Sequence, residues 1–182
     1  YLKDKTYQEE MDYLCASKSR NNYIKNLCVG LQGNTLCLFQ YVEKHGKVLE
    51  ELIRLKDPER KVFFVYGGVN ADEREEIRAI TEKSDSAIIV ASYGTFSTGI
   101  NIRNLHNIVF SSPSKSRIRN LQSIGRGLRL GDNKTNATLY DIADDVSYGE
   151  KENYTLQHFR ERINIYNEES FDYEIHNVEL KE

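Results

Sequence analysis

Two arginines, a glutamine and a glycine in one short segment could bind a triphosphate. Residues 122–129 read Gln-Ser-Ile-Gly-Arg-Gly-Leu-Arg, the pattern Gln-x-x-Gly-Arg-x-x-Arg, which sets two guanidinium groups beside an amide at a glycine-loosened helix end. A guanidinium is planar and permanently protonated, so it binds phosphoryl oxygens and stabilises the charge that develops on them during transfer. The pattern therefore indicates a phosphate site; an exposed basic helix end is the alternative.

The charge of the chain is unevenly distributed. The whole sequence has 25 Lys and Arg against 28 Asp and Glu, a net charge of -3. Residues 103–134 contain seven Lys or Arg and one acid, a net +6, whereas residues 141–182 contain twelve acids and four Lys or Arg, a net -8. A focused positive band attracts phosphates even in a slightly acidic protein. The band favours a phosphate-bearing partner, with a solvated basic face as the alternative.

A second polar segment, residues 92–102, reads Ser-Tyr-Gly-Thr-Phe-Ser-Thr-Gly-Ile-Asn-Ile and follows an apolar run. Its two glycines, four aliphatic hydroxyls and one amide can line a polyanion with backbone N–H groups and short donors. A plain turn would have a similar composition. The segment is a candidate phosphate contact if the fold places it at a ligand-binding edge.

These motifs lie between apolar runs that favour β-structure and stretches with helical periodicity. Helical patterns cover the first thirty residues and residues 42–55, 70–83 and 154–166, and an extended tail follows. Continuously apolar strands between amphipathic helices are typical of a parallel sheet covered on both faces, which binds ligands beyond the carboxyl ends of its strands. The predicted strands are residues 35–39, 61–66, 87–91, 107–110 and 137–141.

Composition excludes several classes of protein. A chain of 182 residues with 39% hydrophobic residues is long enough to bury the core of one domain with short appendages. No segment approaches eighteen apolar residues and no export signal is evident, so we expect a soluble, cytoplasmic protein without a membrane partner. Cys15, Cys28 and Cys37 form no Cys-x-x-Cys pair and the four histidines lack a ligand spacing, so we expect reduced thiols and no structural metal.

The two polar motifs together resemble motifs V and VI of superfamily 2 helicases, the first through Gly-Ile-Asn-Ile at residues 99–102. Residues 35–40 resemble motif IV, and residues 66–68, Tyr-Gly-Gly, resemble the glycine-containing segment after the next strand. The resemblance covers about residues 34–145. It implies a RecA-like helicase domain 2, an α/β three-layer αβα sandwich with a mainly parallel central sheet. Residues 1–33 would be a helical lead-in from an upstream domain, and residues 146–182 a C-terminal helix and extended tail.

The resemblance also implies roles for individual residues. Arg129 would be the arginine finger, Arg126 would assist at the γ-phosphate, and Gln122 would connect the nucleotide to the surrounding loops. The positions implied for ATP binding are Gly99, Asn101 and Gly125, and those implied for DNA contact are Ser92, Gly94, Thr95, Gln40, Gly67 and Gly68.

The second polar segment departs from the common form of motif V. Many helicases of this group have Thr-Asp where Ser92 and Tyr93 stand and Asp where Asn101 stands, and the loop here is one residue longer than the common RNA-helicase form. These differences favour the DNA-translocating branches. The implied function is the C-terminal motor domain of an ATP-dependent DNA helicase that remodels branched DNA. The alternatives are an inert nucleic-acid-binding module and an RNA helicase. A Rossmann oxidoreductase lacks support because no Gly-x-Gly-x-x-Gly follows a strand.

The sequence lacks the other half of an ATPase site. The one Gly-Lys pair, Gly46 and Lys47, has Tyr41 and Val48 where a P-loop needs Gly and Ser or Thr. No Asp-Glu pair ends an apolar strand, and Asp141 is better explained as a strand-end turn residue than as a magnesium ligand. ATP with Mg²⁺ would therefore be held mainly by an upstream RecA-like domain. We expect the chain to be part of a longer protein, since it does not begin with Met.

The aromatic residues near the C-terminus have two interpretations. Tyr154, Tyr166 and Tyr173 could stack on bases, but aromatic side chains at such spacing more often serve packing. We therefore predict packing roles for them.

Overall fold

A single parallel sheet forms the centre of the molecule. The structure, a computed structural model, describes residues 4–97, 102, 104–112 and 137–181. Within these residues the strands are β1 (Thr35–Phe39), β2 (Val62–Val65), β3 (Ile88–Ser92), β4 (Asn107–Phe110) and β5 (Thr138–Asp141). The sheet order is β2-β3-β1-β4-β5 and each pairing of neighbours is parallel. All five strands lie where the apolar runs predict them.

Helices flank these strands in the described part of the chain. Two of them begin at sequence-encoded caps: Thr6 and Glu9 form a reciprocal capping box, and the Asn70 side chain accepts a hydrogen bond from the Glu73 amide at 2.8 Å. None of the described helices is both long and apolar enough to cross a bilayer. The helices are α1 (Tyr7–Ala16), α2 (Lys18–Gly30), α3 (Lys47–Lys56), α4 (Ala71–Glu82), α5 (Tyr93–Ser97) and α6 (Tyr154–Glu168), with a π-helical turn at Val42–Gly46 before α3.

Alternate side chains of each strand enter two separate hydrophobic cores. Leu36 and Leu38 lie in one core, which α4 and α6 help to cover, and Cys37 and Phe39 lie in the other, which α2 and α3 cover. Because successive side chains of a strand point to opposite faces, a continuously apolar strand can fill both cores at once. The predicted three-layer αβα sandwich is therefore the observed architecture.

The segments at the two ends of the chain pack against each other. The Glu10 carboxylate of α1 is buried and accepts hydrogen bonds from the backbone amides of Tyr154 and Thr155, at 2.9 and 2.7 Å, in the first turn of α6. A carboxylate at this place satisfies amides that have no partner within the helix and also complements the helix dipole. The lead-in and the C-terminal helix thus share one buried contact.

The three cysteine side chains are buried thiols, at 3% exposure or less. Cys28 on α2 and Cys37 on β1 meet inside the core that α2 and α3 cover. Their contact, together with burial, raises the pKa of the Cys28 thiol. Among the described residues no cluster of His, Cys, Asp or Glu could hold a metal ion.

Candidate functional site

The strands of the sheet end at one level. The register pairs Phe39 with Ser92, Val65 with Ala91, and Phe110 with Asp141. The residues that follow the strands therefore share one edge of the sheet, where parallel α/β sheets bind their ligands. We call this the carboxyl edge; it comprises Gln40, residues 66–68, residues 92–95, Ser111, Ser112 and Asp141.

The start of the second polar segment is helical rather than an open loop. Ser92 ends β3, and Tyr93–Ser97 forms the short helix α5. The Ser92 and Thr95 hydroxyl oxygens are 2.7 Å apart, and the Thr95 amide lies 3.4 Å from Ser92 Oγ, which places Ser92 in an N-capping position. The Thr95 side chain is 3% exposed, whereas Gly94 is exposed. Of these positions, Gly94 is the most exposed.

Gln40 follows β1 and has an incompletely satisfied side chain. Its Oε1 atom is buried and has no hydrogen-bond partner within the described part of the chain. The π-helical turn comes next and brings Gly46 against Phe39, where an added Cβ would lie 2.5 Å from the phenyl ring. Gly46 therefore allows close packing against Phe39.

Gly67 and Gly68 form the turn after β2, where the Val69 amide donates to the Tyr66 carbonyl at 3.0 Å. A Cβ at Gly68 would lie 2.7 Å from the Tyr66 ring, so a larger residue here would require that ring to move. A Cβ at Gly67 would meet no atom within 4 Å. Gly67 is thus the more accessible of the two glycines.

Buried polar side chains fix the end of β4. Arg20 of α2 forms a two-pronged ion pair with Asp144, at 2.8 and 2.9 Å, and also donates to the Ser111 carbonyl at 2.6 Å. His45 joins Asn21 to Ser112 through contacts of 3.1 and 2.7 Å. The local sequence around Arg20 and His45 does not mark them as functional, because the partners of both are distant in the chain.

The protonation state of His45 follows from its partners. Asn21 donates its amide nitrogen to the Cys15 carbonyl, so its oxygen accepts from His45 Nε2 and leaves Nδ1 to accept from the Ser112 hydroxyl. Burial, together with the charge of Arg20, lowers the pKa of His45 to about 3. His45 is therefore a neutral imidazole that donates one hydrogen bond and accepts another.

Asp141, at the end of β5, is bound by two side chains of α6. Arg162 donates to both carboxylate oxygens, at 2.7 and 2.9 Å, and the Tyr166 hydroxyl donates at 2.6 Å. The side chain thus makes an ion pair rather than the strand-end turn contact that the sequence favoured. Tyr166 is 6% exposed and serves packing, as predicted, whereas Tyr154 and Tyr173 remain partly exposed.

The structure brings together one part of the predicted site. Gln40, Gly67, Gly68, Ser92, Gly94 and Thr95, the positions predicted to contact DNA, follow three neighbouring strands at the carboxyl edge. The positions predicted for catalysis and ATP binding lie outside the described residues; they are Gln122, Arg126, Arg129, Gly99, Asn101 and Gly125.

Comparison with known proteins agrees with this geometry. The family model for the helicase conserved C-terminal domain matches residues 19–131, which include both polar motifs. The ATP-dependent DNA helicase uvsW of Enterobacteria phage T4 is 38% identical over 192 residues, covering 98% of this chain, and the chain spans 38% of that protein's length.

Solved structures give the same result. The crystal structure of T4 UvsW matches with a TM-score of 0.76 at 38% identity, covering 93% of this chain and 36% of that one. The C-terminal part of the Fun30 ATPase domain matches with a TM-score of 0.58 at 15% identity, covering 85% of this chain and 56% of that one, which supports the fold alone. The RecA-like fold prediction is confirmed, and the chain belongs to the helicase conserved C-terminal domain family.

Proposed function

We propose that this chain is the C-terminal motor domain of an ATP-dependent DNA helicase or translocase that remodels branched DNA, such as forks, recombination intermediates and R-loops. The observation that carries the proposal is the 38% identity to the phage T4 helicase across 98% of the chain. Proteins that share this much sequence over a whole domain generally keep the same chemistry.

The carboxyl edge would form half of the DNA track. Gly94 is exposed and a Cβ at Gly67 would meet no atom within 4 Å, so neither position puts a side chain between the backbone and an approaching phosphate. Ser92 would add a hydroxyl, and Gln40 an amide whose oxygen lacks a partner in the described residues. Contacts of this kind position a strand without reading its bases, which suits an enzyme that moves along DNA.

The nucleotide contacts are assigned from sequence. Arg129 would act as the arginine finger, with Arg126 at the γ-phosphate and Gln122 linking the nucleotide to nearby loops. ATP would also be approached by Gly99, Asn101 and Gly125. Domain closure would bring the two guanidinium groups onto the phosphates, and opening after hydrolysis would shift the DNA-contacting edge along a strand.

Binding of ATP with Mg²⁺ would depend mainly on an upstream RecA-like domain. The described residues offer no cluster of carboxylates and histidines for a metal, and Asp141 is already occupied by Arg162 and Tyr166. Magnesium bound with ATP neutralises phosphate charge during transfer. The protein would act in the cytoplasm of the cell that contains its DNA substrate.

The arginine-finger assignment has a direct test. In the complete protein, Arg129→Lys should lower the DNA-stimulated ATPase rate by about 10³-fold or more, because lysine cannot reproduce the guanidinium fork. DNA binding should persist, since the carboxyl edge is unchanged. Arg160→Lys, on the exposed side of α6, is the matched control and should retain activity. An Arg129→Lys enzyme with near-parental activity would exclude the assignment.

Substrate comparison separates the proposal from its alternatives. The complete protein should hydrolyse ATP fastest with forked DNA, more slowly with linear duplex and least with RNA. Strongest stimulation by RNA would indicate an RNA helicase instead. Salt-sensitive DNA binding without hydrolysis, even with the upstream domain present, would indicate an inert binding module. The 182 residues alone should bind DNA and show almost no ATPase activity.

A further inference from the structure

We propose that helix α1 is a fixed part of this domain, and that Glu10 is the positioning residue through which α1 transmits the movement of an upstream domain to the carboxyl edge. The proposal rests on the function proposed above, in which an upstream RecA-like domain closes onto this one. It concerns a helix outside residues 19–131, the part of the chain that matches the family model.

Helix α1 depends on the rest of the domain for its stability. Its ten residues are too few for a helix that is stable in water by itself. One face of the helix is buried, at 4% exposure or less, and consists of Glu10, Met11, Leu14 and Cys15. If this face separated from the domain, α1 would therefore lose most of its helical structure.

Glu10 attaches the buried face to the start of α6. Its carboxylate oxygens accept hydrogen bonds from the backbone amides of Tyr154 and Thr155, and Oε2 also accepts from the Asn153 side chain at 3.2 Å. A buried carboxylate needs several donors to replace the water that it loses, and these three supply them. The contact therefore fixes the first turn of α6 against α1.

The chain has no slack between α1 and α2. Ser17 alone separates the two helices, and its hydroxyl caps α2 by accepting from the Arg20 amide at 3.3 Å. Arg20 forms the two-pronged ion pair with Asp144, whose carbonyl accepts from the Asn153 side chain at 3.0 Å. A continuous chain of polar contacts from Glu10 to Arg20 therefore joins α1, α6 and α2.

Helix α1 also contacts the turn that follows Gln40, a position proposed to contact DNA. The Asp12 carboxylate forms an ion pair with Lys44, and Gln8 Oε1 accepts from the Tyr41 hydroxyl at 3.4 Å. Exposed contacts of this kind add little stability, but they place α1 directly beside the turn. A displacement of α1 would therefore act on the carboxyl edge without an intervening element.

The helix does not continue before Thr6. Thr6 and Glu9 close its start with the capping box, and Asp4 has a left-handed backbone conformation, with φ of 54°, that a right-handed helix cannot contain without strain. Rotation between this domain and an upstream one would therefore occur on the N-terminal side of Thr6. Because α1 is attached firmly, closure would move α1, α6 and the carboxyl edge as one body.

Hydrogen exchange in the complete protein tests the attachment. Backbone amides of α1 should stay protected without ligand and also with a non-hydrolysable ATP analogue and forked DNA. In Glu10→Ala they should exchange about tenfold faster, the factor for a loss of about 1.4 kcal/mol, while amides of β1 keep their protection. Glu161→Ala removes an exposed acid from α6 and, as the control, should leave α1 unchanged.

Two results of this experiment would overturn the proposal. One is a loss of α1 protection in the parent when the ATP analogue and DNA are added, because α1 would then be a linker that separates during closure. The other is unchanged exchange of α1 in Glu10→Ala, because Glu10 would then have no part in holding the helix.

The amount of ATP hydrolysed per fork unwound tests the transmission. This ratio should be higher in Glu10→Ala than in the parent, because a loosened α1 moves without the carboxyl edge. Glu10→Gln keeps one acceptor oxygen and should give an intermediate ratio. A loss of stability alone would lower hydrolysis and unwinding together, so an unchanged ratio would overturn the positioning role. A parent without DNA-stimulated hydrolysis would contradict the proposed function, and exchange in α1 would still decide the attachment.

Discussion

Two buried arginine–aspartate pairs hold helices from the two ends of the chain against the sheet. The two pairs differ in the strands that they contact. Arg20 of α2 binds Asp144, and Arg162 of α6 binds Asp141, in both cases through two nitrogens. Both aspartates lie at or just after the end of β5. The arginines differ in their remaining contacts.

Arg20 extends its contacts to the end of β4, where it donates to the Ser111 carbonyl. Arg162 shares its aspartate with Tyr166, and its two hydrogen bonds to that carboxylate lie at the end of β5. One pair therefore fixes the end of β4 as well as the segment after β5, and the other fixes the end of β5 alone. The difference shows that α2 and α6 are attached to different positions of the carboxyl edge, Ser111 and Asp141.

The largest effect on stability should come from removing one partner of either buried ion pair while the other partner stays. Arg162→Leu and Arg20→Leu should each lower the free energy of unfolding by about 3–5 kcal/mol, because a buried carboxylate is left without its countercharge. We expect the larger loss for Arg162, since the side chain of Asp141 is 9% exposed and that of Asp144 is 12%. Urea unfolding measures both values. A larger loss for Arg20→Leu, or none for either, would contradict the comparison.

The pH dependence of stability should distinguish the region around Arg20 and His45 from the region around Arg162. His45 has a pKa of about 3 in the folded protein and about 6.5 when unfolded, so the unfolded state binds the extra proton between these values. Stability should therefore fall as the pH falls from 6.5 towards 3, by about 1.4 kcal/mol per pH unit from this group. His45→Gln has no group at this position that takes up a proton. The difference in unfolding free energy between parent and variant should therefore decrease by about 1.4 kcal/mol for each unit by which the pH falls.

Urea unfolding of parent and His45→Gln at several pH values between 4 and 8 gives the comparison. Both proteins also titrate carboxylates in this range, and taking their difference removes that shared contribution. Parallel curves for the two proteins would show that His45 is not held neutral in the fold.

The smallest expected effect on stability concerns the contact between Glu10 of α1 and the first turn of α6. Glu10→Gln keeps the shape of the side chain but removes the negative charge that faces the first turn of α6. The loss in unfolding free energy should be about 1–2 kcal/mol, in the range measured for helix-capping residues. Glu161→Gln, on the exposed face of α6, is the control. Equal stability of the two variants would show that the contact between α1 and α6 adds nothing.

The regular elements were predictable because their signals are local. Leu36 to Phe39 are apolar without interruption, which is typical of a strand between two cores, and Asn70 precedes acidic residues as a helix cap does. The positions of Gln40 and Gly67 at one edge follow from parallel strands alone. The placement of these two residues could therefore be predicted from the sequence.

The buried polar clusters could not be predicted in this way. Arg20 and Asp144 are 124 residues apart, and Asp141 finds its partners 21 and 25 residues later, distances at which the local pattern carries no information. Helix α5 was missed because Ser92, Gly94 and Thr95 favour turns, and only the Ser92 cap and the burial of Tyr93 stabilise a helix there.

The buried thiols supply an intrinsic probe of local opening in α1, α2 and β1. Cys15 on α1, Cys28 on α2 and Cys37 on β1 are shielded from solvent, and burial or mutual contact raises the pKa of the first two, so the reactive thiolate is scarce in the native state. An alkylating reagent can therefore modify them only when the surrounding helix or strand opens. The order in which the three become labelled would report whether α1, α2 or β1 opens first, without any introduced tag.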